Sequence, residues 1–272
     1  MSTDHGRAAV LVTGAGRGLG AAMAQRIAAA GYLVLASARG PAPVGAGIVP
    51  VRLDVTDAAS IDAAVETVTH HSDGRGLFAI VNNAAVLYAS PLELASPARV
   101  QEQLQTNVAG PIAVIQAFLP LLRQGGGRIV NVSSINAQLP LPYWAVYSAT
   151  KAALVAMSDA LRMELAPAGI PVSVLTLGAF ATDIRREALK AWPSSAAYEA
   201  ARRTTGALVH MLDATAAEPA AAADALLTIL AAADPPPHYA AGNGIEDLLA
   251  LAAQPAAVRD AAIGELFAAV MR

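Results

Sequence analysis

Six short runs of apolar residues recur along the chain, and longer alanine-rich segments separate them. The runs cover residues 8–12, 32–36, 48–53, 77–82, 128–133 and 172–177. Short apolar runs without alternation are typical of strands that are buried on both faces, as in a parallel sheet. The segments between them carry apolar residues at helical spacing over residues 19–30, 58–68, 100–122 and 148–166. The pattern predicts an α/β fold with a doubly wound parallel sheet of the Rossmann type and helices on both faces.

The pattern changes after residue 182. A polar helical stretch reaches to about residue 213, a last strand-helix unit lies around residues 220–241, and residues 244–272 add an extra C-terminal helix. No linker-like run divides the 272 residues, and 55% of them are hydrophobic, which suffices for one sizeable core. We therefore expect a single domain over residues 1–272. Within it, residues 181–213 are interpreted as a substrate lid and residues 244–272 as a C-terminal helical extension.

Composition narrows the possible functions. The net charge is -3 and only 14% of the residues are charged, so nucleic acid is not an expected partner. The chain has no cysteine, which excludes disulfides and thiolate chemistry. The adjacent pair His70 and His71 cannot chelate one metal from a helix, and no metal site is predicted. With no uninterrupted apolar run of 18 residues, the sequence predicts a cytoplasmic protein without a membrane partner.

A glycine-rich loop follows the first predicted strand. Residues 13–20 read TGAGRGLG, and a helical pattern begins near Leu19. Glycines at 14, 18 and 20 allow a tight turn and a close approach of the backbone to a pyrophosphate, while the helix offers unpaired N–H groups. Such a loop between a strand and a helix predicts a dinucleotide site.

The charges after the second predicted strand indicate which dinucleotide binds. Sites for NAD place an acidic residue there for the ribose 2′-hydroxyl, but no acidic residue occurs between Asp4 and Asp54. The strand ends instead in Ala38 and Arg39, and Arg17 lies inside the glycine loop. Because guanidinium groups pair with phosphate oxygens, the sequence favours NADP(H).

Tyr147 and Lys151 lie four residues apart, so on a helix they share one face. A phenol is a poor proton donor at neutral pH unless a cation is beside it. Lowering its pKa to about 7 requires about 4 kcal/mol, which is what one charge at ~4 Å supplies at an effective dielectric of ~20. The pair therefore predicts proton transfer.

These motifs together resemble the short-chain dehydrogenase/reductase family over residues 8–182. The resemblance identifies Asn107, Ser134, Tyr147 and Lys151 as the catalytic tetrad. The cofactor-binding residues that it implies are Thr13, Gly14, Gly16, Arg17, Gly18, Leu19, Gly20, Arg39, Asp54, Val55, Asn83, Ala84, Ala85, Tyr147, Lys151, Gly178 and Thr182. The chain departs from the family at Ala85, which replaces a glycine, and at Leu177, which replaces a proline. These departures concern the positioning of the nicotinamide.

The resemblance also implies roles. Tyr147 donates the proton, Ser134 binds the substrate oxygen, and Lys151 lowers the pKa of Tyr147 and reaches the nicotinamide ribose. Asn107 holds a helix kink and a water, and Ser133 is structural. The expected reaction interconverts a ketone or aldehyde and an alcohol on an apolar, fairly large substrate.

Wider features of the family complete the expectations. The helices over 100–122 and 148–166 imply a homodimer or homotetramer, and the C-terminal helix loosely resembles the hydroxysteroid and retinol dehydrogenase branches. Aromatic side chains at 143, 144, 180 and 192 are pocket candidates, with simple packing an equal alternative. Two other functions stay open: a non-redox step such as dehydration or epimerisation, and a cofactor-sensing protein without turnover.

Overall fold

The computed structural model of the protein describes residues 8–270. Within this range seven parallel strands form one sheet in the order β3-β2-β1-β4-β5-β6-β7. They are β1 (Ala9–Val12), β2 (Leu33–Ala38), β3 (Ile48–Arg52), β4 (Ala79–Asn82), β5 (Arg128–Ser134), β6 (Val172–Leu177) and β7 (His238–Ala241). The chain runs outward from β1 to β3 and then returns to β4, which pairs with the other side of β1. This reversal confirms the predicted doubly wound sheet.

Helices cover both faces of the sheet. They are α1 (Gly18–Ala29), α2 (Ala58–His71), α3 (Pro97–Leu104), α4 (Gly110–Gly125), α5 (Ala145–Leu165), α6 (Ile184–Lys190), α7 (Glu199–Ala214), α8 (Pro219–Ala231), α9 (Ile245–Ala252) and α10 (Ala256–Ala269). Alternate residues of a strand point to opposite faces. Val10 accordingly packs in a core with α1 and α8, whereas Leu11 packs in a second core with α2 and α4. Burial on both faces explains why the five central strands, β1, β2, β4, β5 and β6, are largely apolar.

The single helix predicted over residues 100–122 begins at Pro97 and is interrupted. A π-helical turn, Gln105–Ala109, separates α3 from α4. Its centre, Asn107, is 1% exposed and hydrogen-bonds to neighbouring segments, which holds the extra residue of the turn in place. The stretch Pro97–Gly125 is long and apolar enough to cross a membrane. The core helix of a globular protein can have the same length and composition. Phe118 and Leu122 of this stretch are fully buried.

The C-terminal third differs from the prediction in two ways. The strand-helix unit expected around residues 220–241 has the opposite order, because the alanine- and leucine-rich segment forms α8 and three prolines then lead into β7. The extension after residue 244 contains two helices, since Pro255 starts a new helix after α9. Residues 1–7 and 271–272, which include the end of the predicted extension, lie outside the described residues. The single-domain organisation stays a prediction.

Candidate active site

The glycine loop joins β1 to α1 and leaves no room for side chains. Gly14 has a φ of +67°, and a Cβ there would lie 2.8 Å from the Cα of Ala84. A Cβ on Gly20 would lie 2.3 Å from the carbonyl oxygen of Gly14. No side chain caps the first turn of α1, so its backbone N–H groups are available to an anion. The loop is a cradle that fits the pyrophosphate of a dinucleotide.

Thr13 holds this cradle in place from behind. Its hydroxyl accepts hydrogen bonds from the backbone N–H groups of Asn83 (3.0 Å) and Ala84 (3.1 Å). The Asn83 amide in turn donates to the carbonyl oxygens of Thr13 (2.9 Å) and Gly14 (3.3 Å). Thr13 is 1% exposed and does not line the cavity described next, so it positions the loop and makes no contact with the cofactor space.

A cavity of about 560 Å³ opens at the carboxyl ends of the strands, in front of the glycine loop. All the other predicted cofactor-binding residues line it, from Gly14 in the loop to Thr182 after β6. Arg39 lies on its wall at the end of β2, and Asp54 follows β3. Burial raises the pKa of Asp54, but the hydrogen bonds from Thr56 and the charge of Arg39 outweigh it and hold that pKa below its usual value. The carboxylate is thus ionised and ready to accept hydrogen bonds.

Three of the four predicted catalytic residues line the same cavity. Ser134 ends β5, while Tyr147 and Lys151 lie on successive turns of α5. Tyr147 is 8% exposed and hydrogen-bonds with the hydroxyl of Ser134. The Lys151 ammonium donates to the carbonyl oxygen of Val132 at 2.8 Å and lies 5.8 Å from the centroid of the Tyr147 ring. A phenol, a second hydroxyl and an amine therefore lie together on the cavity wall.

Burial shifts the pKa values of both Tyr147 and Lys151. Burial raises the pKa of Tyr147 to about 12, against the lowering effects of the Ser134 hydrogen bond and the Arg185 charge. Burial also lowers the pKa of Lys151 to about 8. Both shifts come mainly from burial, which favours the uncharged form of each side chain.

The fourth predicted catalytic residue, Asn107, lies behind the cavity wall. Its side-chain oxygen accepts from the N–H of Val86 (2.9 Å), and its amide donates to the Val86 carbonyl (2.8 Å) and to the Thr150 hydroxyl (3.1 Å). Thr150 lies next to Lys151 on α5. Asn107 thus fastens the π-helical turn to the catalytic helix, in agreement with the predicted helix kink.

The pocket candidates divide into two groups. Trp144 and Phe180 line the cavity, whereas Tyr143 and Trp192 pack against each other outside it, with ring centroids 5.2 Å apart. Ser133 also lines the cavity, and its hydroxyl donates to the backbone carbonyl of Lys151 at 3.4 Å, which agrees with a structural role.

Sequence reasoning missed Arg185. The basic residues at 185, 186 and 190 suggested a charged lid surface, yet Arg185 is only 6% exposed and lines the cavity. Its guanidinium pairs with Asp213 of α7, with Nε 2.9 Å from the carboxylate, and donates to the Phe180 carbonyl at 2.9 Å. The local sequence does not show that Arg185 is buried and Arg186 is not. Arg186 is exposed, and its guanidinium lies 3.4 Å from the same Asp213 carboxylate.

The apolar end of the cavity was also missing from the prediction. Helices α7, α9 and α10 contribute Leu208, Leu212, Leu248, Leu251, Ala262, Ile263 and Leu266. The helical spacing of these residues indicated amphipathic helices, but only the tertiary structure shows which surface they cover.

The match to known proteins agrees with this geometry. The family model for short chain dehydrogenases matches residues 8–193. This region contains the glycine loop and the four predicted catalytic residues. The chain belongs to the short-chain dehydrogenase family. A solved short-chain dehydrogenase from Streptomyces avermitilis is 31% identical, with a TM-score of 0.75 over 89% of this chain and 90% of the other. A second, from Burkholderia cenocepacia in complex with NADP, is 28% identical, with a TM-score of 0.73 over 95% and 97%.

Curated relatives of this short-chain dehydrogenase match over shorter regions. A 3-amino-tetrahydro-pyrrolizinone reductase from Xenorhabdus hominickii is 37% identical over 65% of this chain and 63% of its own length. Estradiol 17-beta-dehydrogenase 2 from Mus musculus is 37% identical over 65% of this chain and 49% of its own length. The matched region thus spans about half to two thirds of these relatives. By name, one of these relatives is a reductase and the other a dehydrogenase.

Proposed function

We propose that the protein is an NADP(H)-dependent ketoreductase that interconverts a ketone or aldehyde and an alcohol on an apolar, fairly large substrate. The observation that carries this proposal is that Ser134, Tyr147 and Lys151 line the same cavity as the glycine loop and a set of apolar side chains. A cofactor-sensing protein has no need of a buried tyrosine and lysine in that cavity.

The chain's own residues account for the proton transfer. When bound, the nicotinamide supplies a hydride to the carbonyl carbon, or accepts one from the alcohol. The carbonyl oxygen gains negative charge as its carbon is reduced, and a donor must already be in place there. Tyr147 gives its hydroxyl proton to that oxygen, and Ser134 donates a hydrogen bond that fixes its position. In the oxidation direction Tyr147 takes the proton back.

NADP(H) is the proposed cofactor because of charge. Arg17 and Arg39 both line the cavity, and Ala38 stands where an acidic residue would repel a 2′-phosphate. Guanidinium groups pair well with phosphate oxygens. A neighbour of known structure contains NADP, while a 3-ketoacyl-(acyl-carrier-protein) reductase from Brucella melitensis contains NADH, so the preference rests on the residues of this chain.

The substrate class follows from the cavity wall. Beyond Tyr147 the lining is aliphatic and aromatic, supplied by Leu139, Trp144 and the leucines of α7, α9 and α10. Burying apolar substrate surface there contributes about 25 cal/mol per Å². We further propose a cytoplasmic homodimer or homotetramer, with Leu104, Ile112 and Met163 on α3, α4 and α5 as exposed apolar contacts.

The test is Tyr147→Phe, assayed with NADPH and a panel of carbonyl compounds. Loss of the acid should lower kcat by about 100-fold or more, because general acid catalysis contributes 10²–10⁴-fold. The dissociation constant for NADPH should stay within about 2-fold. Tyr239→Phe on β7, outside the cavity, is the matched control and should keep wild-type turnover. Near-normal turnover of Tyr147→Phe would remove Tyr147 as the acid.

A further inference from the structure

Tyr143 has a backbone conformation that large side chains avoid. Its φ is +69°, in the left-handed region where a bulky residue is an outlier. Such conformations persist only where the surroundings fix them, and they concentrate at functional sites. Tyr143 lies one helical turn before Tyr147, immediately ahead of α5. The strained residue therefore adjoins the proton donor.

Three neighbouring segments fix this conformation. The carbonyl oxygen of Tyr143 accepts a hydrogen bond from the N–H of Ser90 at 2.9 Å. Its ring lies between Trp192, which follows α6, and Phe267 of α10, with centroid distances of 5.2 and 6.3 Å. Both ring pairs are tilted, at 59° and 54°, an arrangement that aromatic pairs favour. The ring thus joins the catalytic helix to α10.

Helix α10 is weakly attached although it forms part of the cavity wall. None of its residues is buried. It is held by the Phe267 ring, by Ile263 packed beside α9, and by Arg259, which donates to the Gln138 carbonyl at 3.3 Å. Yet three of its residues, Ala262, Ile263 and Leu266, line the cavity. A segment with few buried contacts opens at low free-energy cost.

We propose that Tyr143 is a positioning residue that seats α10 over the substrate cavity, so that α10 is the movable wall through which the apolar part of the substrate enters. The contact ties that wall to the position of Tyr147, since Tyr143 lies two residues before α5 and Tyr147 lies in its first turn. Tyr143 itself does not line the cavity, so it acts through α10 and not through substrate. The part of the inference that concerns substrate entry rests on the proposed function. The contact between Tyr143 and α10 does not depend on that function.

The experiment compares Tyr143→Gly, Tyr143→Asn and Phe267→Ala with the wild-type protein by hydrogen exchange. Glycine and asparagine both accept the left-handed backbone, so these two variants remove the ring without adding strain. Exchange across residues 256–269 should become faster in all three. In Phe267→Ala, which leaves the contact between Tyr143 and Trp192 intact, residues 184–214 should keep their protection. Tyr143→Phe, which keeps the ring, should keep the wild-type exchange pattern. Should Tyr143→Gly fold poorly, Phe267→Ala tests the same contact from the surface.

The kinetic readout separates positioning from a merely structural role. With the bulkiest ketone that the wild-type enzyme reduces, Phe267→Ala and Tyr143→Gly should raise KM about 3- to 10-fold, the equivalent of one aromatic pair, with kcat within about 2-fold. With cyclohexanone, which does not reach α10, KM should not change. Unchanged exchange in α10, or faster exchange in α6 and α7 instead, overturns the proposal. If the wild-type protein reduces no carbonyl compound, the proposed function is wrong. The hydrogen-exchange rates of residues 256–269 then still decide whether Tyr143 seats α10.

Discussion

Lys151 should titrate far below an ordinary lysine, and the folded state should become more stable with rising pH because of it. Its side chain is 3% exposed, and no carboxylate pairs with it among the described residues. Burial lowers its pKa from 10.5 to about 8. Between these two values the unfolded chain binds the proton and the folded protein does not, so the free energy of unfolding rises with pH. The rise from pH 7 to 9.5 is about 2 kcal/mol.

Two measurements test this value. Urea unfolding between pH 7 and 9.5 should show the rise in the wild-type protein and not in Lys151→Met. The pH range ends before pH 10, because Tyr147 has the opposite effect on stability above that pH. The folded protein holds the Tyr147 proton more tightly than the unfolded chain does, so the free energy of unfolding falls as the pH rises toward 12.

NMR provides the direct readout. The sequence contains only two lysines, Lys151 and Lys190, so selective ¹³C labelling gives two signals, and Lys190→Gln assigns them. The Lys151 signal should have its midpoint near pH 8. A midpoint above 10, together with parallel stability curves for the wild-type protein and Lys151→Met, would refute the argument that burial controls this group.

Three further predictions concern the rest of the site. Arg39→Ala should weaken NADPH binding by about 1.5–3 kcal/mol and leave NADH unaffected, because a hydrogen bond to a charged group is lost. Fluorescence titration checks this, with the remote surface variant Arg123→Ala as control, and equal affinity of the wild-type protein for the two cofactors would contradict it. Residues 181–213 should gain hydrogen-exchange protection when NADPH and substrate bind, if they form a lid that excludes water. Protection confined to residues 13–20 would instead show a rigid segment. Arg185→Gln should shift the pH profile of alcohol oxidation upward, because the Arg185 charge lowers the pKa of Tyr147. Arg186→Gln, which changes an exposed partner of the same Asp213, should not shift it.

The sequence predicted most of the sheet and the cofactor side of the site for a physical reason. Strands buried on both faces are largely apolar, so β1, β2, β4, β5 and β6 are visible as apolar runs. The glycine loop is equally visible, because Gly14 and Gly20 have no space for a Cβ. Tyr147 and Lys151 share a helix, and four-residue spacing alone places them on one face.

Features that depend on distant contacts were not predictable. The π-helical turn is held by the Asn107 bonds to Val86 and Thr150, which are separated from it by 21 and 43 residues. Arg185 is buried, and its partner Asp213 lies 28 residues later in the chain. The seventh strand is short and half-exposed, so His238–Ala241 lacks the apolar signature of the others.

Two parts of the cavity wall come from different regions of the chain. We expect one region to determine the reaction and the other to determine the substrate. The residues around the glycine loop and Tyr147 lie within residues 8–193, the region that matches the family. The leucines that close the apolar end come from α7, α9 and α10, after that region ends. Changes in these helices can alter the shape of the wall without moving Tyr147, because α5 is anchored to β5 and β6 in the sheet core. Substitutions after residue 193 should therefore change which carbonyl compound is reduced while the proton-transfer group stays intact, and Leu212→Ala, with its larger cavity, should shift the preference toward bulkier ketones.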